Sequence, residues 1–139
     1  MRQVITRIAL GSSGAILGYI GGSLLVNAEM FMAANGVEIG SDPSLMSELK
    51  APAGLLLFVG AIMGAGSLRL RGANLGLVSG AVVYGSYGLS RLVSLLMDGA
   101  PSQSLIIAAV IELVISILLL GLQRRNRVFQ SMRGNPNDL

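Results

Sequence analysis

Seven polar residues stand inside or at the edges of long apolar runs: Glu48, Lys50, Tyr87, Arg91, Ser94, Asp98 and Glu112. Arg91 lies within "YGSYGLSRLVSLLMDG" (84–99), seven residues before Asp98, which on a helix is roughly 10 Å. Glu112 follows Gln103 by nine residues, or roughly 13 Å along the next helix. On sequence-adjacent, antiparallel helices the two charges reach a similar depth. An unpaired charge at the bilayer centre costs about 2.5–3.5 kcal/mol on insertion scales, and an opposite charge alongside offsets much of that. The expectation is an Arg91–Glu112 ion pair facing a bundle interior. Tyr84, Tyr87, Ser94 and Asp98 share the helix face of Arg91, and Glu48 and Lys50 enter the second apolar run from the same side. Together they predict a polar pocket opening outward between the second, third and fourth runs. Three roles fit such residues: an ionic lock that sets helix register, a site for a ligand or ion, or an arginine that snorkels to the headgroups alone.

Other chemistry is excluded by composition. The chain has no cysteine and no histidine, which removes disulfides, thiol redox chemistry, Cys/His zinc sites and histidine-ligated haem. Only Lys, Asp, Glu or Tyr is left as a proton carrier. No phosphate loop, nucleophile elbow or metalloprotease motif occurs. Without His or Cys, the seven methionines do not suggest a copper site. Neither an enzyme nor any cofactor or metal is expected. No basic face interleaved with aromatics suggests nucleic acid.

The elements that must hold these residues are helices in lipid. Of 139 residues, 53% are hydrophobic and 12% charged, where a soluble domain carries about 25% charged residues. Mean hydropathy is +0.71. Four apolar runs, about 4–26, 51–68, 73–97 and 104–122, are each near the ~20 residues that span the hydrocarbon. Arg2 and Arg7 precede the first, Arg69 and Arg71 separate the second from the third, and Arg124, Arg125, Arg127 and Arg133 follow the fourth. The other two connections carry Glu29, Glu38, Asp42, Glu48 and Asp98, with Lys50 their only base. Arginine collects on the cytoplasmic side, so both termini are expected there.

The fold class expected is all-α: an integral membrane four-helix bundle over 1–123, followed by a basic cytoplasmic tail over 124–139. A signal peptide, suggested by Val-Asn-Ala at 26–28, is disfavoured because the first run exceeds an h-region and is interrupted by glycines. In the outer loop 27–50, "SDPSLMSELKAP" reads as a helix start with Asp42 or Ser41 as N-cap and Pro43 at the first position. That predicts a short interfacial helix leading into the second span, with Pro52 at a bend or at the span's start. "ANGVEIG" (34–40) reads as a turn, and "SMRGNPNDL" as a frayed end.

Glycines recur at four-residue spacing. The first span holds Gly14, Gly18 and Gly22, the second Gly60 and Gly64, and the third Gly72, Gly76, Gly80 and Gly88. Small residues so spaced let membrane helices approach closely, either within one bundle, the favoured reading, or between copies. Arg124, Arg125 and Arg127 suit contact with anionic lipid, worth about 1 kcal/mol per basic residue near the surface, as well as plain topological anchoring.

"SELKAPAG" (47–54), "SRLVSLLMDGAP" (90–101) and "IEL" (111–113) resemble small bacterial four-helix membrane proteins known only as a domain of unknown function. The matching residues are Glu48, Lys50, Ala51, Gly54, Arg91, Ser94, Asp98, Gly99, Pro101 and Glu112. Ser90 replaces a usual glycine, and Ala-Pro-Ala-Gly stands where a glycine pair is common. The resemblance implies a fold and a location in the bacterial cytoplasmic membrane, but no activity. The function expected is an accessory or interaction subunit packing through glycine-rich helices. The alternative is a small transporter or ligand-binding protein using the Arg91 and Glu112 pocket. Expected partners are membrane lipids, and either a larger membrane complex or further copies of the chain.

Overall fold

The computed structural model describes residues 2–40, 42–68 and 72–133, with side chains as far as Val128. Arg69, Arg71, the alternative cap Ser41, residues 134–139 and the side chains of Arg2 and Arg133 lie outside the described residues. The chain is all-helical, with α1 Arg2–Ala34, α2 Pro43–Leu68, α3 Ala73–Met97 and α4 Gln103–Arg133. The fourteen glycines within these helices would weaken them in water, where each costs about 1 kcal/mol relative to alanine. In lipid no water can take up a free N–H or C=O, so the backbone must satisfy itself as helix.

Three helices, α1, α2 and α4, are long and apolar enough to cross a membrane. The sequence reading expected four. Helix α3 is long enough at 25 residues, but Arg91, two tyrosines and four serines dilute it. Its packing on α2 and α4 buries Tyr84, whereas Ser86, Ser90 and Ser94 are exposed.

The ends are closed by local chemistry. Helix α1 breaks at Asn27 (φ −151°, ψ 81°), and its Oδ1 accepts the N–H of Met30 at 3.0 Å. The helix then resumes to Ala34, beyond the expected end of the first span. It stops in a Schellman turn: Val37 N–H donates to Met32 O (3.0 Å) and Gly36 N–H to Ala33 O (2.9 Å), with Gly36 at φ +77°. That left-handed conformation is one glycine adopts without a Cβ penalty. Asp42 Oδ1 accepts the N–H of Leu45 at 2.9 Å and caps α2 just before Pro43. The expected short helix leading into the second span is continuous with it: α2 runs from Pro43 through Pro52 to Leu68. Helix α4 likewise continues past its apolar run to Arg133, so Arg124, Arg125 and Arg127 ride on a helix rather than in a loose tail.

The core is a stack of Leu10, Leu17, Leu56, Met63, Leu77 and Leu119 between the helices. Across it Tyr84, 3% exposed, donates its hydroxyl to Ser13 O of α1 at 2.7 Å. Ser116 of α4 donates to Ala81 O of α3 at 2.8 Å. On the loop side, Ser102 and Ser104 both donate to Asn35 O at 2.7 Å, tying the end of α1 to the start of α4. Tyr84→Phe keeps the ring but leaves α1 and α3 without their hydroxyl tie. It is expected to cost about 1–2 kcal/mol, read as a lower melting temperature in detergent. A melt equal to wild type would show that the bond contributes nothing.

Candidate functional site

Arg91 and Glu112 meet. Arg91 Nε donates to Glu112 Oε2 at 3.1 Å, with side chains 32% and 13% exposed. The two helices can come that close because Gly88, one turn before Arg91, is buried against α4. A Cβ there would stand 2.7 Å from Leu113 Cγ and 3.3 Å from Ala109 O. Glycine in α3 therefore sets the approach across which the arginine reaches. Tyr87, half-buried one turn before Arg91, lies within the field of both charges.

The rest of the polar set divides. Ser94 donates to Asp98 Oδ2 at 2.9 Å, and the Asp98 N–H donates to Ser94 O at 2.7 Å. These two residues thus finish the exposed end of α3 and make no bond to Arg91. Glu48 and Lys50 are exposed on the first turns of α2, and among the described residues nothing bonds them to Arg91 or Glu112. Among the described residues, the expected pocket between the second, third and fourth spans thus gains no hydrogen bond or ion pair from Glu48 or Lys50. The reason is that α2 packs on α1 and α3 rather than α4. A Cβ at Gly21 of α1 would lie 2.8 Å from Ala53 O, so the start of α2 is drawn onto α1.

The glycines also divide. A Cβ at Gly60 would lie 2.9 Å from Gly14 O, and one at Gly14 would lie 3.0 Å from Gly60 O, so these two mark a backbone-to-backbone contact of α1 and α2. Gly76 packs against Leu10 and the Met63 backbone, Gly80 against Met63 and Leu119, and Gly72 lies in ordinary contact with Gly66. A Cβ at Gly18, Gly22 or Gly64 would meet nothing within 4 Å, although the backbone N of Gly18 and of Gly64 lies at the α1–α2 contact, 3.2 Å from a Cβ at Gly60 and 3.3 Å from one at Gly14. A four-residue stripe drifts around a 3.6-residue helix, so its members cannot all keep facing one neighbour. Gly18 and Gly22 line an open groove of about 490 Å³ along α1, with Tyr19, Ser23, Val26 and Asn27. Sequence reasoning missed this groove; the one signal for it was Asn27 interrupting an apolar run.

Arg124, Arg125 and Arg127 are exposed on the extension of α4, where they can meet phosphate groups. At the same end, Arg7 Nη2 donates to Leu68 O at 3.3 Å, satisfying a carbonyl at the close of α2. Among the described residues no group of three or more Asp or Glu side chains could hold a metal ion.

A family model described as a domain of unknown function, DUF4345, matches residues 5–123. The match covers all of α1 to α3 but for the first residues, and α4 as far as Gln123. No curated protein and no solved structure is matched.

Proposed function

The chain belongs to the DUF4345 family, a domain of unknown function, and from that premise we propose a role as an accessory or interaction subunit of the bacterial cytoplasmic membrane. Both termini face the cytoplasm in this reading, and the first turns of α2 lie at the outer surface. The arginines before α1 and after α4, against the acidic residues of the two opposite connections, support that orientation.

One observation carries the choice of role. Arg91, a charge set among apolar residues, is met by Glu112 within the same chain. Its charge is spent on holding α3 to α4, which favours a structural lock over a transport site. What the molecule then offers its surroundings is apolar helix surface, with Tyr19 70%, Phe58 65% and Ile117 70% exposed. Such surface suits lipid and other helices.

A second reading has its own support. The bond to Glu112 uses Arg91 Nε, and the side chain remains 32% exposed, so an anionic solute could approach the rest of the guanidinium. Extraction in mild detergent followed by mass spectrometry of intact assemblies separates the two. The accessory role predicts a stoichiometric assembly well above the 14.4 kDa chain. A lone chain carrying a small anionic solute that Arg91→Gln releases would replace it with the ligand-binding role.

A further inference from the structure

The groove on α1 is unusual because two glycines form its floor and charged residues are absent from its lining. It runs from Gly18 to Ala34, roughly 24 Å of helix. Its volume is about 490 Å³, within the ~300–1,000 Å³ of small-molecule sites. That space along the apolar run admits a single slender chain.

Its polar atoms are also placed for an amphiphile. Gly18, Tyr19 and Gly22 lie within the apolar run, while Asn27 stands at its end, where the helix breaks. Asn27 Oδ1 is taken by Met30 N–H, which leaves its amide nitrogen as a donor, and Ser23 offers a hydroxyl one turn below. Neutral donors without Lys or Arg suit the ester or head of an uncharged or zwitterionic lipid; an anionic head would lack a counter-charge.

We propose that this groove holds one acyl chain of an uncharged or zwitterionic membrane lipid, its ester region at Ser23 and Asn27 and its chain over Gly22 and Gly18. The proposal rests on the reading that α1 crosses the bilayer. A bound chain would fill the space beside Gly18 and Gly22 that no described residue occupies.

The test uses the full chain in vesicles of phosphatidylethanolamine and phosphatidylglycerol, doped with a phosphatidylcholine carrying a diazirine in its acyl chain. After irradiation, labelled peptides of α1 and α4 are compared by mass spectrometry. Label is expected to concentrate on residues 18–26 in wild type. Gly22→Leu fills the floor and is expected to cut α1 labelling about tenfold, the loss that a few displaced methylene contacts would give. Label on the lipid-facing residues of α4 should stay unchanged. Gly18→Leu serves as the second variant, and since a Cβ at either position meets nothing within 4 Å, both should melt with wild type. Labelling of α1 no denser than that of α4, or indifferent to both variants, would mean ordinary surrounding lipid and overturn the proposal. Absence of label from α4 as well would overturn the membrane reading itself.

Discussion

Gly60→Leu is expected to lower the stability of the protein by about 3 kcal/mol, the upper range for forcing side-chain volume into a packed interface. A Cβ at this position would already lie 2.9 Å from Gly14 O and 3.2 Å from Gly18 N. Both are backbone atoms, so no rotamer change relieves the clash and α1 must move away from α2. The core residues Leu10, Leu17 and Met63 sit beside this contact and would lose their packing with it. Gly60→Ala should destabilise for the same reason, though less. One turn on, Gly64→Ala is expected to be neutral or to gain up to about 1 kcal/mol, because a Cβ there meets nothing within 4 Å and alanine is the better helix former. Melting temperatures of the set in one detergent decide the matter. Equal melts for Gly60→Ala and Gly64→Ala would refute the close approach of α1 and α2.

The second large effect concerns the charges. Glu112→Leu leaves Arg91 without its partner, and is expected to cost about 2–4 kcal/mol, near the range for breaking a buried pair and reduced because Arg91 is 32% exposed. Arg91→Leu should cost a similar amount by stranding the carboxylate, which at 13% exposed is the more enclosed of the two. The double variant removes both charges and should recover most of the loss, because apolar residues can replace a buried pair at little cost. A thermodynamic cycle over the three proteins gives the coupling directly. If the double variant is as unstable as the sum of the two singles, the pair does not hold α3 to α4 and the structural-lock reading falls. Stability alone does not exclude a solute. Loss of a bound anionic solute in Arg91→Gln without a change in melting would move the assignment to the ligand-binding role.

Much of this was readable from residue types and spacing. Long apolar runs with glycine and serine but few charges force helix, because lipid offers no partner for a free backbone group. That consideration alone yields the helical class and the limits of α3, whereas α1, α2 and α4 run past their apolar segments. Asp42 before Pro43 marks the start of α2 by cap chemistry that acts over three residues. The depth of Arg91 and Glu112 follows from the helical rise, and an antiparallel neighbour is the one helix certain to bring such a depth close.

Where spacing failed, the cause was packing between elements distant in the chain. The sequence reading put Glu48 and Lys50 in one pocket with Arg91. Tertiary structure sends α2 to α1 instead, because Gly14 faces Gly60 and Gly21 faces Ala53, contacts between residues more than thirty positions apart. It also assigned Tyr84 to Ser13 of α1 rather than to a polar site on its own face. The glycine stripes look uniform on paper, yet Gly14 is buried at a backbone contact while Gly18 and Gly22 border an open groove. A four-residue repeat on a 3.6-residue helix precesses by about 40° each step, so only the angle at which a neighbour crosses decides which glycine it meets. Local chemistry and the solvent determined the helices and their caps; the crossing of helices over long sequence separations decided which charges, glycines and hydroxyls meet.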